Sequence, residues 1–391
     1  MQQNASFNKA APTYDVICFS HLRWDFVYQR PQHLMSRFGK DRRVFYIEEP
    51  IFDGFKAHWD ISERETGVFV CVPHLARETK ADSIDFMMLY LVNLLIAEKE
   101  VEDYIFWVYT PMMLPWRKGL KPKAVVYDCM DQLSAFKNAP NVLHIREAEL
   151  FDLADLVFTG GHSLFEAKRN HHDAVYAFPS SIDTKHFGRA LDFSEEMDDQ
   201  RETPHPRIGF IGVIDERMDV DLLARIAELK PAWHFIMIGP VVKIDEADLP
   251  RAGNIHYLGG KQYGELPGYI AGWDAAMMPF AINESTEFIS PTKTPEYLAA
   301  GQPVVSTAIR DVVRPYGEMG LVHIAETAEE FVAKLEIAMS EDEKGRREKA
   351  AEFLSDISWD KTFNAMLDLI GDAIEERVGK NESVKMLSAR F

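Results

Sequence analysis

The sequence predicts an α/β protein built from two doubly wound domains. Three observations carry this. Short runs rich in Val, Ile and aromatics alternate with helix-like stretches, the pattern of parallel strands wrapped by helices. A polar, acidic stretch at 188–206 interrupts the alternation, which then starts again. The length, 391 residues, suits two domains of roughly 100–200 residues each.

In chain order, DVICFS (15–20), RVFYIE (43–48), VFVCVP (68–73), YIFWVY (104–109), AVVYD (124–128) and LVFT (156–159) read as buried strands. HLMSRFGK (33–40) and VLHIREAELFDLAD (142–155) read as helices between them. The longest apolar run, IDFMMLYLVNLLIA (84–97), is shorter than the ~20 residues that span a bilayer and holds Asp85 and Asn93. A buried helix is expected there, with a membrane-facing surface helix as the alternative. GRALDFSEEMDDQRETPHP (188–206) reads as a linker. Beyond it, RIGFIG (207–212), WHFIMIG (233–239), IHYLG (255–259), AAMMPF (275–280) and PVVST (303–307) are strands. DVDLLARIAELK (219–230) is an amphipathic helix that ends before Pro231. A short helix from about Pro295 to Ala300 stops at Gly301, and the chain is mostly helical from Ala328 on.

Apolar residues are 47% and charged residues 27%, as in an ordinary soluble protein. Lys and Arg number 43 against 62 Asp and Glu, a net charge of −19 that argues against a nucleic-acid partner. Cys18, Cys71 and Cys129 are too few and too scattered for a disulfide framework or a zinc site, so buried thiols are expected. The opening MQQNASFNKAAPTYD lacks a hydrophobic signal core. A cytoplasmic protein is the expectation.

In doubly wound sheets ligands bind beyond the carboxyl ends of the strands, so strand-to-loop junctions are the candidate sites. The most informative is FAINESTEFISPTKTPEYLAAGQPVVST (280–307). Thr294 reads as the N-cap of its helix and Pro295 as the first helical residue. Ser290, Thr292 and Lys293 then stand at a helix N-terminus, where free amides, the helix dipole and a lysine favour a phosphate-like anion. Glu296 can accept two hydrogen bonds from a ribose diol, or can simply complement the dipole. In FIGVIDERMD (210–219), Gly212 ends a strand and lets backbone approach a ligand. Arg217 offers a guanidinium fork to a pyrophosphate, or pairs with Asp215, Glu216 or Asp219. Arg217 and Lys293 together could clamp one diphosphate without a metal.

SHLRWDFVYQRPQHLM (20–35) follows the first strand. Arg23, Trp24, Arg30 and His33 are expected to face a cleft, with Trp24 stacking on a sugar; surface-loop packing is the alternative. Asp128 and Asp131 of YDCMD (127–131) lie at a strand end, Asp128 as a cleft or a turn residue. TGGHS (159–163), with Ser163 as N-cap, reads as structural. His162, His171 and His172 lack an HExxH or carboxylate pattern, so no metal site is expected. The absence of a nucleophile elbow, P-loop or GxGxxG weighs against serine hydrolases, P-loop NTPases and standard dehydrogenases.

Four stretches in order give a resemblance. FPSSIDTKHF (178–187), FIGVIDERMD (210–219), IHYLGGKQYGELPGYIAGWDAAMMPF (255–280) and PTKTPEYLAAGQPVVST (291–307) are similar to the motifs of retaining GT-B-fold glycosyltransferases of the family 1/4-like group. SHLRWDFVYQRPQHL and YDCMD are similar to a bacterial subgroup near the teichuronic-acid-type transferases of cell-surface polysaccharide synthesis. The resemblance runs from about residue 15 to residue 380. It implies two Rossmann-like domains facing across a cleft: an acceptor-side domain at 1–187, the linker, a nucleotide-sugar domain at 207–357, and a helix at 358–391 crossing back.

By position, the resemblance makes Glu296 the ribose carboxylate, puts Arg217 near the family's phosphate-binding lysine, and sets Gly212 beside the donor phosphates. The chain departs from the pattern at three places. Phe288 replaces the family's first glutamate, Val213 its arginine, and Asp128 stands near its cleft histidine. Lys293 would compensate for the missing arginine. The implied activity is retaining sugar transfer from a nucleotide diphosphate sugar, most commonly UDP-linked, with no metal or other cofactor. Asp128, Arg217 and Lys293 carry the catalytic expectation. Ser290, Thr292 and Glu296 join Gly212 in holding the donor, and Arg23, Trp24, Arg30 and His33 lie on the acceptor side. The acceptor is a glycan, a lipid-linked or a small molecule, and peripheral membrane association is open. A nucleotide-sugar epimerase or a non-catalytic sugar-nucleotide-binding partner subunit are the competing readings.

Overall fold

The computed structural model describes residues 14–388, with side chains through residue 379; the polar leader at 1–13 lies outside them. The chain divides into two compact units. The first gathers residues up to Asp128, Ile145–Val157 and residues from Phe363 on; the second gathers Cys129–His144 and Phe158–Thr362.

In the first unit the strands are β1 (Asp15–Phe19), β2 (Val44–Ile47), β3 (Ile51–Gly54), β4 (His58–Glu65), β5 (Val68–Ala76), β6 (Tyr104–Val108) and β7 (Val125–Cys129). Their order is β3-β5-β2-β1-β6-β7, with parallel neighbours such as Val16↔Val44 and Val16↔Ile105. Strands covered on both faces need apolar residues at every position, which is why β1, β2 and β6 stand out as unbroken apolar runs. β3 and β4 were not expected. The sequence of β4, HWDISERE, is charged, with every residue exposed or only half-buried, and it pairs antiparallel with β5, so no apolar run announces it.

The helix Ala81–Glu98 buries Met88, Leu91, Val92 and Leu95. It is not buried all round: Phe86 is 70% and Tyr90 53% exposed. None of the described helices is long and apolar enough to cross a membrane. The helix Trp359–Ser388 returns to this unit, where Phe363 packs edge-on against Phe38 with ring centroids 4.8 Å apart. Cys18, Cys71 and Cys129 are buried and not joined in a disulfide, as read from their spacing.

β8 (Leu156–Thr159) and β9 (Val175–Ala177) continue the first sheet's order beyond β7, as β7-β8-β9. The second unit holds a six-stranded sheet. It is built of β10 (Arg207–Ile211), β11 (His234–Ile238), β12 (Ile255–Gly259), β13 (Ala275–Met278), β14 (Val304–Ser306) and β15 (His323–Ile324). The order is β12-β11-β10-β13-β14-β15, with parallel neighbours. The helices Val220–Leu229 and Ala328–Ser340 supply Leu223, Ile226, Phe331 and Leu335 to one core cluster. Leu266–Ala271 and Lys293–Ala299 supply Ile270 and Tyr297 to the other. The order reverses between β10 and β13, the switch point where this architecture binds ligands.

Residues 188–206 are not a free linker. Gln200 is fully buried; its Nε2 donates to the Tyr269 carbonyl at 3.0 Å and its Oε1 accepts from Trp273 Nε1 at 3.2 Å. Glu196 binds Arg207 at 3.0 Å. Gln200 and Glu196 tie this stretch to the second unit, while most of its residues stay exposed to solvent.

Candidate functional site

The site candidates of the second unit gather around the end of β10. Gly212 follows that strand, and its carbonyl leaves no room for a side chain at Gly239, which follows β11. A Cβ on Gly239 would lie 1.7 Å from the Gly212 oxygen. The two strand ends thus meet as bare backbone. The loop beyond continues the contact: Ile214 N–H donates to the Pro240 carbonyl at 3.0 Å.

Arg217 lies in this loop and pairs with Asp215, through Nε to Oδ1 at 3.0 Å and Nη2 to Oδ2 at 2.8 Å. The internal salt bridge is therefore the partner seen here. Burial pulls the Arg217 pKa down, but Asp215 at hydrogen-bond distance outweighs it and the guanidinium is held charged. The Arg217 carbonyl accepts from Ala281 N–H at 2.8 Å, which ties this loop to the segment after β13. That segment is tightened by Thr286, whose hydroxyl donates to the Ala281 carbonyl.

The segment leads to Ser290, Thr292 and the helix Lys293–Ala299. The helix starts at Lys293 after Thr292, two residues earlier than expected. Thr294 is not its cap; it is buried, with its hydroxyl toward Met278 Sδ at 3.6 Å. Glu296 is 6% exposed, and Lys293 Nζ donates to its Oε2 at 2.7 Å. Burial pushes the Glu296 carboxyl upward and Lys293 opposes the shift. The next residue, Tyr297, fixes the helix to β10: its hydroxyl accepts from Ile211 N–H at 2.7 Å. Glu296 is thereby next in sequence to the residue that ties its helix to the strand ending before Gly212. Sequence reading missed Tyr297, which looked like one more core aromatic.

Two further contacts bear on Ser290. Its carbonyl accepts from the Ser180 hydroxyl at 2.9 Å, and a Cβ on Gly161 would come 2.9 Å from its Cβ and 2.2 Å from Asp311 Oδ2. Asp311 also accepts from Ser163 N–H at 2.9 Å. Ser163 is therefore not the N-cap of the helix His162–Lys168; Gly161 occupies that position and Asp311 satisfies an amide of the first turn. Asp311 gave no sequence signal, because its partner is 148 positions away.

In the first unit the picture departs from expectation. Arg30 and Asp128 are buried and bound to each other, with both carboxylate oxygens 3.0 Å from Nε and Oδ1 2.8 Å from Nη2. Burial pushes the Asp128 carboxyl up, and the Arg30 fork pulls against it. Trp24 is buried edge-on against Tyr46, with ring centroids 5.0 Å apart, and is not placed to stack on a sugar. His33 is buried beside Tyr28. Only Arg23 of the four is partly exposed; it binds Glu48 at 2.8 Å and the Glu49 carbonyl at 2.7 Å. The Arg-, His- and Trp-rich loop is thus largely an interior framework. Among the described residues no group of three or more His, Cys, Asp or Glu could hold a metal ion.

Two doubly wound sheets, with ligand-type residues at the β10 and β13 switch, define the GT-B architecture. Residues 205–341 match the family model of glycosyl transferases group 1. It is 33% identical over 103 residues to TuaH of Bacillus subtilis (strain 168), named as a glycosyltransferase of teichuronic acid biosynthesis. That match covers 26% of each chain, so the chain aligns with about a quarter of this relative's length. Among solved structures it is similar to apo OtsA, with a TM-score of 0.61 at 12% identity over 94% of this chain and 99% of that one. It is also similar to sucrose-phosphate synthase from Thermosynechococcus elongatus, with a TM-score of 0.63 at 11% identity over 97% and 100%. At such identities the likeness shows the fold.

Proposed function

We propose that the protein is a retaining glycosyltransferase. It moves a sugar from a nucleotide diphosphate sugar, UDP-linked by preference, to a glycan, lipid-linked or small-molecule acceptor in bacterial surface polysaccharide synthesis. The observation that carries this is Glu296, buried on a helix locked to β10 by Tyr297, within the matched segment. The name of TuaH points to surface polysaccharide, and a trehalose-6-phosphate enzyme structure from E. coli of the same fold is described as bound with UDP-2-fluoro glucose.

In this reading the bond between the anomeric carbon and the diphosphate oxygen breaks as the acceptor oxygen attacks from the same face. The acceptor's proton passes to the departing phosphate. Arg217 and Lys293 offset the charge that develops on that phosphate, so no divalent cation is required. Gly212, Ser290 and Thr292 provide backbone and hydroxyl contacts to the donor, and Glu296 holds the ribose diol. Asp128 acts through Arg30 as a positioning residue of the acceptor-side unit, with Arg23 and His33 on the same framework.

A thermal-shift screen with UDP, GDP, ADP, CMP and dTDP tests the donor site, each nucleotide with magnesium and with chelator. One diphosphate at ~100 times its dissociation constant should add about 2.7 kcal/mol of stability, independent of magnesium and lost in Arg217→Ala. No shift with any nucleotide would sink the reading.

The exposed Phe86 and Tyr90 lie one turn apart on the helix Ala81–Glu98, and Phe55 after β3 is fully exposed. They favour a membrane-proximal acceptor, with the first unit resting on a lipid surface. The double variant Phe86→Ser with Tyr90→Ser should lose sedimentation with anionic liposomes while keeping nucleotide binding. Unchanged sedimentation would remove membrane association from the reading.

A further inference from the structure

Lys243 holds a backbone conformation that lysine rarely adopts, with φ +63°. Glycine or asparagine takes that geometry at lower cost, and residues kept in it cluster at functional sites. Its position is fixed by the two strand ends already described. Beyond Gly212 and Gly239 the loops stay joined: Ile214 N–H donates to Pro240, and Val242 N–H donates back to Ile214, each at 3.0 Å. The chain then turns at Lys243.

The result is two cations on one ring. The Lys243 ammonium lies 4.7 Å and the Arg217 guanidinium carbon 5.5 Å from the centroid of Phe136. Arg217 comes from the β10 loop, Lys243 from the β11 loop, and Phe136 from the segment Cys129–His144 of the same unit. Three carboxylates attend them. Asp215 occupies Nε and Nη2 of Arg217, and Asp131 also acts on that guanidinium. Glu216 is 3.9 Å from Lys243, too far for a hydrogen bond, and both of its buried oxygens lack a hydrogen-bond partner among the described residues. Lys243 thus has a side chain 49% exposed, a single long ion pair with Glu216 and no hydrogen bond to it, and a strained backbone beside Arg217.

We propose that Lys243 is a second phosphate-binding cation of the donor site, acting with Arg217 on the diphosphate. The proposal rests on the glycosyltransferase reading and deepens it. A planar fork held by Asp215 and a mobile point charge suit a diphosphate, whose two phosphates offer anionic oxygens in several directions. The bare backbone at Gly212 and Gly239 lets the same ligand approach both strand ends. Phe136 holds the two cations on its ring until the anion draws them off. Lys243 also stands in a place that no motif marks, which supplies positive charge where Val213 has removed it.

The test uses the full chain with Lys243→Gly, Lys243→Asn and Lys243→Arg. Calorimetry measures affinity for the nucleoside diphosphate selected by the thermal screen and for its monophosphate and nucleoside. Glycine accepts the positive φ, so Lys243→Gly should melt at or above the wild-type temperature, and Lys243→Asn controls for loop loosening. Both should lose about tenfold or more in diphosphate affinity, with little change for the nucleoside, and Lys243→Arg should recover most of it. Wild-type binding that is unchanged in Lys243→Gly and Lys243→Asn overturns the role of Lys243 and leaves the glycosyltransferase reading standing. An equal loss for diphosphate and nucleoside also overturns it, because the residue would then act through loop shape. A wild-type protein that binds none of the three overturns both readings.

Discussion

Replacing Glu296 by Gln should weaken binding of the donor nucleotide by about 10- to 100-fold while leaving the fold intact. The size follows from the loss of a charge-assisted hydrogen bond in a buried place, worth about 1.5–3 kcal/mol. The side chain is isosteric, and its neighbour Tyr297 keeps the helix on β10 through the Ile211 amide. The readout that separates ribose recognition from a structural role is the comparison of a nucleoside diphosphate with its 2′-deoxy analogue. Wild type should discriminate between them and Glu296→Gln should not. Equal discrimination in both proteins would leave Glu296 as a partner of Lys293 and nothing more.

The second large effect is on stability. Asp128→Ala leaves the Arg30 guanidinium buried with its carboxylate removed, and loss of one member of such a pair costs about 3–5 kcal/mol. Denaturant unfolding of the first unit should show it as a lowered midpoint. A double variant, Arg30→Met with Asp128→Leu, should recover most of the loss, because an apolar pair of similar volume requires no buried charge. A decrease under about 1 kcal/mol in Asp128→Ala would mean that solvent reaches Arg30 readily. Arg30 would then be open to solvent, in keeping with the cleft position that the sequence reading expects for it.

The fold was legible because its strands are covered on both faces. Val16–Phe19, Val44–Ile47 and Ile208–Ile211 must be apolar at every position, and such runs are visible without any tertiary information. β4 was not legible, since an edge strand with charged, exposed positions has the composition of a loop. The segment 280–307 was legible as a place: the polar loop, the short helix and the strand after it fall within two residues of where they were expected. The partners of its side chains were not. A sequence shows that Arg217 has three nearby carboxylates but not that Asp215 takes it, and gives no hint that Asp311 reaches Ser163. The opening loop shows the limit most clearly. Arg, His and Trp in a strand-end loop resemble ligand-binding chemistry, yet Arg30 is committed to Asp128, 98 positions away.

The return of the helix Trp359–Ser388 to the first unit has a consequence during synthesis. Phe38 meets Phe363, and Asp155 meets Arg377 at 2.7 Å, so the first unit draws its packing from opposite ends of the chain. Emerging from the ribosome, that unit has its sheet early but lacks its closing helix until more than 360 residues have been made. The second unit, apart from Cys129–His144, is one continuous stretch of chain that can close around its own sheet before then. The order of completion therefore runs against the order of translation: of the two units, the one begun earlier is finished later. In the interval the ring of Phe38 waits without the partner that will cover it.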